Sequence, residues 1–416
     1  MDFNIESRFF DRWSGYDLSQ GIRRDRNHPS IILWSLGNEI AERADARGED
    51  IVRRLSATVR KYDTSRFTTA AVNSFWDRRQ YTWEKDSHRA FRNIDVAGYN
   101  YMWQKYETDH AAYPDRVMYG SESYPKEMAQ NWNLVEKHPY IIGDFVWTGM
   151  DYLGEAGLGH ALQLAEGERD TQFMGWPWYN AWCGDIDLIG EKKPQSYYRD
   201  VLWRRLPVAM AVHVPVAEGK HEVVNGWGWP DELQSWNWQG CEGRPMQVNV
   251  YSRAPKVKLY LNGRLIGEQP TDGKTYTTTF TVPYSPGKLT ATAGGNASFS
   301  LETTGRPAAI RLKADRTSLK TNAEDLSYVT IEVVDDKGRV VPDAVVPLKI
   351  TCSGAGRVIA SGNGAYADME SFRSPSPHTF RGRAQAIVSP TTAGTVTLTV
   401  SSDGLQPAAA TLTCTH

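Results

Sequence analysis

Two acidic residues close short apolar runs. The first ends Ile31 to Glu39, reading IILWSLGNE, where Ile31, Ile32, Leu33 and Trp34 lead into Ser35, Leu36, Gly37, Asn38 and Glu39. Large and β-branched residues between His28-Pro29 and Gly37 predict a buried strand over Ile31 to Leu36, because Pro29 pushes His28 away from helical angles. Such a strand delivers an amide and a carboxylate at its carboxyl end, where α/β barrels keep their chemistry. The second is Glu122, which ends the run RVMYGSE from Arg116. Strand ends of a barrel converge on one face, so carboxyls far apart in sequence can meet there and divide proton transfer and nucleophilic attack between them. Each has a plainer reading, Glu39 as the cap of a following helix and Glu122 as the partner of an Arg or Lys.

The context narrows these readings. Arg24-Asp25-Arg26-Asn27-His28-Pro29-Ser30 running into the strand and Asn38-Glu39 resembles the acid/base signature of glycoside hydrolase family 2, the family of β-galactosidases, β-glucuronidases and β-mannosidases. The resemblance implies that Glu39 is the general acid/base and that Asn38 contacts the sugar 2-hydroxyl. Met118 to Pro125 is similar to the family's nucleophile strand, which implies Glu122 as nucleophile. Retaining hydrolysis needs the two carboxyls about 5 to 5.5 Å apart, with Glu122 ionised and Glu39 protonated at the moment of attack. Tyr101 is the implied hydroxyl donor to the nucleophile, with Tyr99 as the alternative and a core tyrosine as the plain reading. Asp144 to Glu155, DFVWTGMDYLGE, resembles the last barrel strand, with Trp147 as the floor of the sugar site. Asp151 and Glu155 are exposed-loop candidates for sugar hydroxyls or simply solvated charges, and Gly184-Asp185 is a candidate for the same rim.

β-Glucuronidases of the family carry an Asn-x-Lys pair for the substrate carboxylate, and the corresponding Asp185 to Lys193 lacks it. Asp187 and Glu191 would repel a uronate and Lys192 and Lys193 attract one, so a neutral sugar, galactose first, is expected. Glucuronide or mannoside hydrolysis, and a non-catalytic glycan-binding or structural role, are the alternatives. A carbohydrate substrate and no cofactor are implied.

The elements that must hold these residues follow from periodicity. Tyr16 to Arg26 is amphipathic, and Ile51, Val52, Leu55 and Val59 recur at helical spacing within a helix expected over 50–62. Strands are expected at Phe67 to Val72, Asn93 to Tyr101, Arg116 to Glu122 and Tyr140 to Trp147, and a helix with Pro at its start over Pro194 to Arg205. That makes five strands before residue 200 where a closed barrel needs eight. The expectation is therefore a partial (β/α)8 TIM barrel over 1–205, about strands 4 to 8, in a chain that begins partway through the barrel. Association with a missing amino-terminal part, or a homo-oligomer, would cover the open edge.

From residue 206 the texture becomes β, with alternating runs such as Gln247 to Tyr251, Lys256 to Leu261, Tyr276 to Val282 and Lys288 to Ala293 between Gly-containing turns. Two β-sandwich domains are expected, 206–305 and 306–416. The second, with runs at Ala309 to Ala314, Tyr328 to Asp335, Val346 to Thr351, Ala384 to Val388 and Thr395 to Ser401, resembles bacterial immunoglobulin-like repeats. The tryptophan-rich Asn225 to Gly240 reads as a packed seam between domains or as an extension of a glycan cleft.

Composition excludes other classes. The 47 basic and 49 acidic residues nearly cancel, so no charge field argues for nucleic acid or a membrane surface. No apolar run approaches the roughly 20 residues needed to span a bilayer. Met1 to Glu6 lack the basic region and apolar core of a signal peptide, although the resemblance implies a periplasmic or secreted full-length enzyme. Four cysteines without a Cys-x-x-Cys pair argue against a structural metal; Cys352 and Cys414 are readable as a pair or as free thiols.

Overall fold

A computed structural model describes residues 7–322 and 324–416, which form two compact units, Met1–Thr148 and Gly149–His416. Met1 to Glu6, read above for a leader, lie outside the described residues. In the first unit helices alternate with strands: α1 (Ser7–Asp25), β1 (Leu33–Asn38), α2 (Ala46–Tyr62), β2 (Phe67–Val72), α3 (Trp83–Phe91), β3 (Val96–Asn100), α4 (Tyr106–Ala112), β4 (Val117–Ser123), α5 (Met128–Lys137) and β5 (Ile141–Val146). The strands pair in sequence order, all parallel. Parallel neighbours require crossovers, and the helices supply them. Ile51, Val52, Leu55 and Val59 are buried along one face of α2, as their spacing predicts, and Asp45 caps the helix by accepting from the Gly48 amide. Phe75, Trp83, Phe91, Tyr99, Tyr106, Met118 and Ile141 form a core within this unit.

β1 starts two residues later than its apolar run. The guanidinium of Arg66 donates to the carbonyls of His28 (3.0 Å) and Ile31 (2.7 Å), which takes those groups out of the ladder. Asp63 completes the clamp. It accepts from the Trp34 indole, the Ser65 hydroxyl and Arg66, tying β1 to the turn before β2. Burial alone would raise the Asp63 carboxyl, but these donors hold it well below the usual range.

In the second unit, residues 149–202 carry short antiparallel pairs and the helix Pro194–Leu202, with Pro at its first turn. Residues 149–202, expected in the same barrel as 1–148, belong to the second compact unit. Two sandwiches follow, each made of two four-stranded sheets. Val208, Met210, Val248, Val250, Leu259, Phe280 and Leu289 fill the first, and Val329, Ile331, Val333, Ala386, Leu398, Val400 and Leu412 the second. Lys256–Leu261, Lys288–Ala293 and Ala309–Ala314 fall where alternation puts them. The strand expected from Val346 starts at Lys349, because the Val346 amide donates to the Thr379 hydroxyl and the Leu348 amide to the Pro377 carbonyl. Cys352 and Cys414 are free thiols. No helix among the described residues is long and apolar enough to cross a membrane.

Candidate active site

Four strand ends of the first unit build the site. At the end of β1, Asn38 and Glu39 are half-buried, and Glu39 has a left-handed backbone (φ 47°) while its amide donates to the Ala71 carbonyl at the end of β2 (2.9 Å). Beyond β3, Tyr101 is also left-handed (φ 58°), and its amide donates to the Glu122 carbonyl (2.7 Å). Left-handed non-glycine residues cost on the order of 1 kcal/mol or more and persist where surrounding bonds fix them. Both turn a side chain at the carboxyl end of the sheet.

The side chains then connect. The Tyr101 hydroxyl donates to Glu122 Oε2 at 2.7 Å. The fully buried Asn100 amide donates to Glu39 Oε1 and to Asn38 Oδ1, each at 2.9 Å, while Ser121 Oγ donates to Asn100 Oδ1 at 2.7 Å. Consecutive residues of one strand end therefore hold the two glutamates. Gly98 leaves room for this network, since a Cβ there would lie 2.8 Å from the Ala70 carbonyl and 2.9 Å from Ser121 Oγ. Tyr124 stacks on Tyr101 with ring centroids 4.2 Å apart, and its phenol is raised by burial and then by the charges of Glu127, Glu39 and Glu122. One ring thus senses both carboxylates. Trp147 follows β5, its amide bonded to the Ser123 carbonyl next to Glu122 (2.9 Å).

The backbone decides between the two tyrosines: two residues apart they would share a face of a regular strand, but Tyr101 lies past the end of β3 with its left-handed φ of 58°. Tyr99 is fully buried away from the glutamates, where its hydroxyl donates to Asp109 and its ring packs on Phe91 and Trp83. Asn100 was missed in the sequence reading; its only signal was the alternation that sets it on the face of β3 opposite Tyr99. A network of two carboxyls, an amide and a phenol at converging strand ends has the parts for acid/base and nucleophilic chemistry at one centre. No group of three or more His, Cys, Asp or Glu side chains among the described residues is placed to hold a metal ion.

Comparison with known proteins bears on which chemistry. The model of the glycosyl hydrolases family 2 TIM barrel domain matches residues 16–168, and that of the glycoside hydrolase family 2 C-terminal domain 5 matches 310–411. The chain belongs to glycoside hydrolase family 2. A domain of unknown function matches 243–297 between them. A solved family 2 member from Bacteroides cellulosilyticus is 36% identical with a TM-score of 0.89, covering 100% of this chain and 53% of its own. A β-galactosidase of Bacteroides ovatus is 27% identical over 97% of this chain and 52% of its own length. A putative β-glucuronidase of Formosa agariphila is 26% identical over 80% and 33%. The chain spans about half the length, or less, of these relatives.

Other residues considered for the site are committed elsewhere. Asp151, expected on an exposed loop, is 3% exposed and accepts from Lys193 Nζ (2.9 and 3.2 Å) and the Gly184 amide (2.7 Å). Burial pushes its carboxyl up to about 6 against the pull of Lys193. Glu155 is exposed and accepts from the Tyr152 hydroxyl. Asp185 pairs with Arg199, Lys192 with Asp200, and Glu191 with Arg383 at 3.2 Å. Asp187 is buried and accepts from the Ile189 and Glu191 amides. These charges serve folding, so the attraction or repulsion of a uronate expected from them carries no weight. In the tryptophan-rich run, Trp236 is buried against Tyr284 inside the first sandwich, while Asn237 bonds Thr304 and Asp343. That part of the run is a seam.

Proposed function

We propose that the strand-end cluster hydrolyses terminal β-D-galactosides with retention of configuration. Glu122 attacks the anomeric carbon and forms a glycosyl ester, while Glu39 gives its proton to the departing oxygen and then takes one from the incoming water. The Tyr101 hydroxyl favours the charged form of Glu122 by donating to it. Asn38, fixed by Asn100, is placed to contact the 2-hydroxyl, and Trp147 supplies an apolar face for the ring. In this reading the five strand–helix units are strands 4 to 8 of a (β/α)8 barrel, and both sandwiches are immunoglobulin-like.

The observation that carries the proposal is the pair of bonds from Asn100 and Tyr101, one to each glutamate. Galactose is preferred because the β-galactosidase of Bacteroides ovatus aligns with nearly the whole chain. The putative β-glucuronidase of Formosa agariphila supports a uronide as the second reading. Nitrophenyl β-galactoside, β-glucuronide and β-mannoside offered to the chain separate these, with the galactoside expected to turn over fastest. Equal inertness of the wild type and Glu122→Gln toward all three, with galactoside binding intact, would leave only a glycan-binding or structural role.

A further inference from the structure

The second unit holds a cavity of about 80 Å³ lined by Trp178, Trp182, Trp229, Tyr366, Asp231 and Arg381, with Lys193 and Glu232 in its wall. None of these residues belongs to the strand-end cluster. Most of the polar wall is already spent. Lys193 binds both Asp151 oxygens and the Trp182 carbonyl, and Glu232 accepts from Trp229 Nε1 (2.9 Å), Tyr251 (2.5 Å) and Asn249.

Arg381 and Asp231 are different. Their charges act on each other, yet neither side chain forms an ion pair or hydrogen bond with any described residue. The Arg381 guanidinium is held by ring faces alone, 5.1 Å from the centroid of Phe380 and 5.6 Å from that of Trp182. Both residues are half-buried in the cavity wall, so their polar groups are open to a ligand or water there.

The backbone argues the same way. Phe380 and Arg383 exchange both of their backbone hydrogen bonds around Arg381 (φ 52°) and Gly382 (φ 74°). A two-residue turn with both central residues left-handed favours Asn-Gly, because other side chains are strained at its first position. An arginine occupies that position and faces the cavity.

We propose that this cavity takes the diol edge of one neutral pyranose of a glycan, with Arg381 donating to one hydroxyl, Asp231 accepting from a neighbouring one, and the aromatic rings of the wall meeting the CH face. One open donor group and one open acceptor of opposite charge suit a vicinal diol. A uronate or phosphate would face the Asp231 charge, and a purely apolar ligand would leave both groups unmet.

The test uses the full chain carrying Glu122→Gln, so that turnover cannot consume the probe and the result does not depend on the hydrolase reading. Methyl β-D-galactopyranoside, methyl β-D-glucopyranoside and sodium glucuronate are titrated while tryptophan fluorescence is followed. Saturable binding of a neutral glycoside is expected, weakened about tenfold or more by adding Asp231→Asn or Arg381→Asn, as loss of a charged hydrogen bond requires. Arg381→Asn relieves the turn, so its unfolding midpoint should equal or exceed that of the parent, which separates lost binding from lost folding. Affinities unchanged in both variants, tighter binding of glucuronate, or no saturable binding by either neutral glycoside would overturn the proposal.

Discussion

Asp151 and the glutamate pair are carboxylates at or just past strand ends, and they have opposite surroundings. Asp151 is sealed from water with a lysine ammonium on both oxygens. Glu39 and Glu122 are half-buried and are held by an amide and a phenol. A buried ion pair leaves nothing for a substrate to displace, and removing one partner strands a charge. A carboxyl held through an amide or a phenol, as each glutamate is, can still exchange a proton or attack a reacting atom. Position after a strand therefore identifies candidates, and the chemistry of the holding groups separates scaffold from reagent.

That contrast is broken or sharpened by substitutions of decreasing expected effect. Glu122→Gln should abolish glycoside turnover, by about 10⁴-fold or more for loss of a nucleophile, and Glu39→Gln should lose about 10²- to 10⁴-fold, with both unfolding midpoints near wild type. A stability loss matching the activity loss would place these glutamates with Asp151. Next, Lys193→Met should destabilise by about 3–5 kcal/mol in denaturant titrations, because Asp151 is left charged and dry. Adding Asp151→Asn should restore much of that loss, and a neutral Lys193→Met would show that the pair is dispensable.

Smaller is Tyr101→Phe, expected to lower kcat/KM by about tenfold or more with little change in stability, since one hydrogen bond to a charged group is lost. The least effect is a pH slope. His213 is raised above its usual value first by its bond to Glu222, against burial, so its contribution is complete below about pH 6.5 and lost as pH rises through the folded value. Stability of His213→Gln relative to wild type should become less unfavourable from pH 6 to 8; a flat difference would remove His213 from the account.

Much of this was legible in the letters. Glu39 and Glu122 end runs whose bulk and β-branching define strands, and the alternation of Lys256 to Leu261 or Ala309 to Ala314 located the sandwich strands. What escaped depended on partners distant in sequence. The start of β1 is set by Arg66, 35 residues beyond Ile31. Asp151 reads as a loop charge because Lys193 lies 42 residues later. Asn100 gave little signal because its partners, Asn38, Glu39 and Ser121, stand on two other strands. Arg381 looks like any surface arginine until its turn and the aromatic cavity are seen together.

The most direct measurement is the mass of the peptide containing Glu122 after exposure to 2-deoxy-2-fluoro-β-D-galactosyl fluoride, which slows breakdown of a glycosyl ester. The account predicts one fluoroglycosyl adduct on Glu122 in wild type and none in Glu122→Gln. An adduct on another carboxylate, or galactoside turnover by Glu122→Gln at the wild-type rate, would contradict it.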